Sequence, residues 1–277
     1  MLRTRLVVGS LLAAAAAAIL AFDEAQSPLY AGLLAIVLLA GGISTGELVR
    51  LMPTDRRPHA GACLVGVLAI LAANWLGPVT GFTGDPWHPV LFAFAGFVLA
   101  VFLLEMATYT GAGNSTARIA NAAFAAAYLG ILASFLVRLR WLPAHATLAI
   151  ALTIAVPKGG DIGAYFTGRF LGRHKFSPLL SPKKTWEGIV GGLLAAAGVA
   201  VGLSFVAPIF RYGIAEAAAF GVVVGVAGVL GDLAESLIKR DFHAKDASAS
   251  VPGFGGLLDV IDSLLFAAPV AYWWFNR

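Results

Sequence analysis

Nine long apolar stretches, separated by short polar connections, constrain this chain more than any other feature of its sequence. They run approximately from Leu6 to Phe22, Leu29 to Ile43, Ala60 to Leu76, Pro89 to Ala107, Ile119 to Val137, Ala144 to Val156, Gly188 to Ile209, Ala215 to Ala234 and Gly256 to Trp274. A membrane span needs about 20 mostly apolar residues. The two shortest stretches, the second and sixth, run on into Gly-interrupted or weakly polar sequence that completes a crossing. The runs are unbroken Ala, Leu, Val and Gly without strand-like alternation, so they predict helices rather than a barrel. Charged residues make up 12% of the chain, against about a quarter in soluble domains. The expectation is an all-α polytopic integral membrane protein with nine transmembrane helices.

The first stretch, preceded by Arg3 and Arg5 and ending in small residues, also has the outline of a signal peptide, but its long apolar run favours a retained span. The single cysteine, Cys63, falls inside a predicted span and excludes a disulfide framework. Positive charge sets the orientation. With the N-terminus inside, fourteen basic residues are cytoplasmic: Arg3, Arg5, Arg50, Arg56, Arg57, Arg118, Arg169, Arg173, Lys175, Lys183, Lys184, Lys239, Arg240 and Lys245. Four lie outside, Arg138, Arg140, Arg211 and Arg277, and Lys158 at a helix break completes the 19. This predicts N-in, C-out topology with the polar blocks facing the cytoplasm, and the expected location is a bacterial inner (plasma) membrane. The net charge of +4 is thereby a topology signal, reinforced by anionic membrane lipids, and calls for no nucleic acid.

The chain changes character near Pro143. Residues 1–143 read as transmembrane scaffold, and residues 144–277 as a catalytic region in which polar residues and glycines cluster in three blocks. An ionisable residue at membrane depth is a functional candidate by default. The first block, Lys158-Gly-Gly-Asp161-Ile-Gly163-Ala-Tyr165-Phe-Thr-Gly168-Arg169, predicts an interrupted or closely packed helix around Asp161, with Lys158 or Arg169 as ion-pair partners. The second, Ser181-Pro182-Lys183-Lys184-Thr185-Trp186-Glu187-Gly188, predicts a helix start with Ser181 as N-cap and Pro182 in the first turn. Lys183 and Lys184 would then sit where the helix dipole disfavours cations, a conflict that bound phosphate resolves. Flanking charge that merely marks the inner side is the plainer alternative.

The third block carries Asp232, Glu235 and Ser236, then Lys239, Arg240 and Lys245, then Gly255, Gly256, Asp259, Asp262 and Ser263. Asp232, Glu235 and Ser236 share one helical face by their spacing, and Asp259, Asp262 and Ser263 repeat it. Two acidic faces at one depth repel unless a cation lies between them, and hard oxygen ligands suit Mg2+. The glycines before Asp259 would let backbone approach a phosphate at that helix start. An ion-pair network with Lys239, Arg240 and Lys245 is the competing structural explanation.

The stretch from Ser236 to Asp262 resembles the signature of phosphatidate cytidylyltransferases (CDP-diacylglycerol synthases), S-x-x-K-R-x-x-x-x-K-D followed by P-G-H-G-G and L-D-R-x-D. The blocks at Asp161 and Ser181 look like the same family's other hallmarks, in the expected order, while residues before about 158 agree only in being multi-span. Phe254 stands where the family has His, Val260 where it has Arg, and Val251 where it has Leu, Ile or Phe. The first two remove phosphate or proton partners and leave every candidate metal carboxylate in place. The resemblance implies transfer of the cytidylyl group of CTP to phosphatidic acid, with release of pyrophosphate. It implies Asp232, Asp259, Lys239 and Lys245 as catalytic residues and Asp232, Asp259, Asp262 and Glu235 as ligands of Mg2+, with room for a second cation. Asp161, Ser181, Lys183, Lys184, Arg240, Gly255 and Gly256 would bind CTP or the lipid headgroup, and a homodimer is compatible. A CTP-dependent enzyme acting on an archaeol-type or polyprenol lipid, a cation or phosphate transporter and an inactive homologue are the alternatives.

Overall fold

The computed structural model describes residues 2–277 except Gln26, Pro28, Phe82, Pro252 and Phe254, and the side chains of 2–8, 12 and 13 are outside the description. The Phe254 departure and the Arg3 and Arg5 side chains therefore lie outside the described residues. The helices are α1 (Leu2–Glu24), α2 (Ala31–Leu51), α3 (Ala60–Ala73), α4 (Leu76–Thr80), α5 (His88–Ala107), α6 (Ser115–Ala125), α7 (Leu132–Arg138), α8 (Ala146–Leu171), α9 (Trp186–Ser204), α10 (Gly213–Asp241) and α11 (Leu258–Phe275). A π-helical turn, Ala126–Ile131, joins α6 to α7, and a 3-10 turn, Leu139–Trp141, follows. Each of the nine apolar stretches coincides with a helix. Among the described residues six spans are long and apolar enough to cross a membrane: α2, α5, the run Ser115–Trp141, α9, α10 and α11. α3 is apolar but shorter. The fold is that of an all-α polytopic membrane protein, and the count of nine crossings is not confirmed.

The chain forms two compact units, Met1–Val137 with Asp246–Val260, and Arg138–Lys245 with Ile261–Arg277. In the first unit Asp23, fully buried, accepts from the amides of Gly32 (2.8 Å) and Leu33 (2.6 Å) and so satisfies the donors at the start of α2. Val49, Cys63, Ile70, Val90, Phe97 and Val101 form the core, with the Phe97 ring lying where a Cβ on Gly66 would be. The Glu105 carboxylate, 4% exposed, takes a two-pronged ion pair from Arg118 at 2.7 Å.

In the second unit small residues set the helix spacing. A Cβ on Gly192 would come 2.9 Å from the Gly160 carbonyl, and one on Gly188 3.0 Å from the Ala164 carbonyl, so α8 and α9 meet backbone to backbone. The Asp161 block is accordingly the closely packed of the two expected forms. α8 continues unbroken from Ala146 to Leu171 with Pro157 inside it, so Lys158 is mid-helix and not at a break.

The expected helix start at Ser181 is also corrected. Ser181–Thr185 is a strand, β2, paired antiparallel with β1 (Lys175–Ser177) in register Ser177↔Ser181 and Lys175↔Thr185. Proline drives the residue before it toward extended backbone, and the hairpin gives Ser181–Thr185 partners that a helix start there would lack. The N-cap is Thr185, extended at φ −126° and ψ 154°, whose Oγ1 accepts from the Gly188 amide at 3.1 Å. Lys183 and Lys184 thus lie on a strand, and the helix-dipole argument for them falls away.

Candidate functional site

α10 and α11 approach closely because Gly231 has no side chain: a Cβ there would sit 2.6 Å from the Asp262 carbonyl oxygen and 3.0 Å from the Ser263 Cα. One turn earlier, a Cβ on Gly228 would lie 2.8 Å from Pro157 on α8. At this three-helix junction Asp232 and Glu235 from α10 and Asp262 from α11 each bring a carboxylate oxygen within 4.8 Å of the others. Glu235 is 1% exposed and Asp262 5%, with Asp232 half-buried. Ser236 and Ser263 are buried beside them.

Three lysines answer the three carboxylates. Lys184 Nζ lies 2.5 Å from Asp232 Oδ2, and Lys239 Nζ 2.5 Å from Glu235 Oε2. Lys158 Nζ donates to Ser263 Oγ at 2.9 Å and lies 3.5 Å from Asp161 Oδ2 and 3.9 Å from Asp262 Oδ1. Like-charge repulsion among the carboxylates is therefore offset by ammonium groups, and repulsion alone does not require a metal. The donor set nevertheless fits one: hard carboxylate oxygens, converging from two helices, are the ligands a divalent cation such as Mg2+ takes. Of the cations expected to pair here only Lys239 does so. Arg240 donates from Nη1 to the carbonyl of Ala244, just past the end of α10, at 3.0 Å, and Lys245 is exposed beyond it. The expected network with Arg240 and Lys245 is replaced by Lys158 and Lys184, which come from α8 and β2.

On β2 the two lysines diverge, as successive strand residues must. Lys184 turns to Asp232 while Lys183 is exposed, and Ser181 opens the strand. The base of the hairpin is held by Glu187, which accepts from the amides of Arg173 (3.1 Å) and His174 (3.2 Å) and meets the His174 ring Nδ1 at 2.6 Å.

Asp259 belongs to the first unit. Its Oδ2 accepts from the amides of Gly256 (2.6 Å) and Ala247 (3.1 Å). Gly255 has φ +112°, in the region glycine favours, and a Cβ there would come 2.7 Å from Asp259 Oδ2. The amides of Leu257 and Leu258 are taken by Glu47, a buried residue of α2. The donors at the start of α11, expected to face a phosphate, are in this structure engaged by carboxylates of the protein. Sequence reading missed Glu47 because the apolar stretch it follows was closed at Ile43. An acidic residue one helical turn beyond a predicted span was the available signal.

The sequence model of the cytidylyltransferase family matches residues 3–276. The chain belongs to that family. It is 43% identical over 123 residues to the phosphatidate cytidylyltransferase of Brucella suis, a stretch covering 44% of this chain and 45% of that protein. It is 38% identical over 138 residues to the Haemophilus influenzae enzyme of that name, 48% of each chain. With the Bacillus subtilis phosphatidate cytidylyltransferase the identity is 36% over 180 residues, 63% of this chain and 66% of the relative. The chain thus spans about half the length of the first two of these relatives. On one helix junction it brings together the carboxylates of Asp232, Glu235 and Asp262 with the ammonium groups of Lys158, Lys184 and Lys239.

Proposed function

We propose that this chain joins phosphatidic acid to the cytidylyl group of CTP, giving CDP-diacylglycerol and pyrophosphate, at the cytoplasmic face of a bacterial inner membrane. The observation that carries this reading is the convergence of Asp232, Glu235 and Asp262, each answered by a lysine, in a chain that belongs to the cytidylyltransferase family. A phosphate monoester is already an anionic nucleophile at neutral pH, so the reaction needs no strong base. One phosphatidate oxygen forms a bond to the α-phosphorus of CTP, and the bond from that phosphorus to the bridging β-phosphate oxygen breaks. Positioning and charge neutralisation are what the protein must provide.

Asp232, Glu235 and Asp262 would hold Mg2+, which when bound supplies positive charge at the triphosphate. Lys184 and Lys158 end in mobile ammonium groups, and an incoming triphosphate competes with Asp232 and Asp161 for them. Lys239, 8% exposed, keeps the buried Glu235 oriented. Asp259 is retained as a catalytic carboxylate, and exposed Lys183, Arg240 and Lys245 as phosphate-facing charges. Two observations support an enzyme over a transporter: α8 is unbroken, and each carboxylate of the polar cluster has a lysine beside it.

Purified protein in detergent, supplied with phosphatidic acid, radiolabelled CTP and Mg2+, should form CDP-lipid and pyrophosphate in equal amounts, and chelation should stop it. Product only from another lipid phosphate or alcohol would reassign the substrate, and no product with any lipid would overturn the reading. For the orientation, cysteines introduced at Lys183 and Arg277 should label from opposite sides, and labelling from one side would reject it.

A further inference from the structure

Glu47 is the most heavily hydrogen-bonded carboxylate described in the first unit, and every partner comes from a segment some 200 residues later in the chain. Its Oε1 accepts from Ser248 Oγ (2.6 Å), Ser250 Oγ (2.5 Å) and the Leu257 amide (3.0 Å), and its Oε2 from the Leu258 amide (2.8 Å). The side chain is 4% exposed. Four donors converge and each needs an acceptor, so the site is built for the ionised form. Gly256 is compelled by it: a Cβ there would come 2.8 Å from Glu47 Oε2.

We propose that Glu47 is a positioning residue for cytidylyl transfer, fixing the glycine-rich segment and thereby the carboxylate of Asp259. Four backbone amides at this turn need acceptors, and the two carboxylates accept from all four, with Ser250 Oγ a second acceptor for Leu257 at 3.2 Å. Glu47 takes Leu257 and Leu258, and Asp259 takes Gly256 and Ala247. The amides at a helix start have no partner within the helix. Without Glu47 the Leu258 amide loses its acceptor and the Leu257 amide keeps only Ser250 Oγ at 3.2 Å, so the Leu258 amide competes for Asp259, drawing it into capping and turning it from its place. The residue that sets the geometry of a motif near the C-terminus thus comes from a helix in the half of the sequence that otherwise reads as scaffold. The role in turnover rests on the cytidylyl-transfer reading; the role in holding the segment does not.

The variant Glu47→Gln keeps size and shape but presents an amide NH2 to donors. Two readouts test it. Hydrogen exchange should quicken across residues 246–260 while α3 and α5 keep their protection. The KM for CTP should rise roughly tenfold and kcat/KM should fall on the order of a hundredfold, with Glu47→Asp recovering part of the loss. KM is blind to the fraction of molecules folded, so a general loss of stability would not move it. Unchanged exchange in Glu47→Gln overturns the proposal whatever the activity. Faster exchange with KM within about twofold of wild type overturns the positioning role and leaves a cap only. Should the wild-type protein make no CDP-lipid, the functional reading fails, and the exchange comparison still decides whether Glu47 holds the segment.

Discussion

Each unit holds a hydrogen-bonded carboxylate site, the α8, α10 and α11 junction in the second and Glu47 in the first, and the two sites neutralise charge by different means. At the α8, α10 and α11 junction the partners of Asp232, Glu235 and Asp262 are lysine ammoniums. In the first unit the partners of Glu47 are serine hydroxyls and backbone amides. An ammonium on a flexible stem can be exchanged for another cation or drawn off by an anion, whereas an amide belongs to the chain and stays. The lysine-paired cluster is suited to binding that comes and goes with substrate, and the amide-paired carboxylate to fixing a loop. The two should therefore answer differently to metal, to salt and to mutation.

The largest effect is expected from the acidic residues assigned to chemistry. Asp232→Asn and Asp259→Asn should each lower turnover on the order of a thousandfold in protein that remains folded and inserted, and excess Mg2+ should rescue neither fully. Near-normal turnover in either variant breaks the assignment. A sharper form of the comparison titrates Mg2+. Asp232→Asn should shift the Mg2+ dependence and Glu47→Gln should leave it unchanged, and equal responses would erase the distinction.

Next come the two lysines of β2, adjacent in sequence and opposite in placement. Lys184→Ala removes the partner of Asp232 and should raise the KM for CTP on the order of tenfold. Lys183→Ala, at an exposed position, should change it only about twofold, with an effect that fades as salt is raised. Equal effects would mean that the hairpin acts as undifferentiated positive charge. The smallest effect belongs to Thr185→Ala, which removes the N-cap of α9. It should cost about 1 kcal/mol of stability in thermal unfolding with kinetic constants near wild type. A kinetic loss as large as that of Lys184→Ala would make Thr185 part of the site.

The sequence by itself determined the class of the molecule and named Asp232, Glu235 and Asp262 among its candidate ligands, together with Asp259, which lies in the first unit. Long apolar runs without strand-like alternation specify helices in lipid, since helices and closed barrels alone satisfy backbone groups without water and a barrel needs that alternation. The spacing of Asp232 and Glu235 by itself puts both on one face of α10. Spacing is a local property, and helical periodicity carries it faithfully. What spacing could not supply was the partner of each charge. Lys158 and Lys184 reach the cluster because glycines at 160, 188, 192, 228 and 231 let the helices close to backbone distance, and no periodicity reports which helices do so. The strand that opens at Ser181 is illegible for a related reason: Ser-Pro is compatible with a helix start and a strand alike, and pairing with Lys175–Ser177 decides between them. Glu47 was invisible because its meaning lies in Ser248, Ser250, Leu257 and Leu258, which only the tertiary structure brings to it. A buried carboxylate is defined by the donors around it, and those donors are distant in sequence.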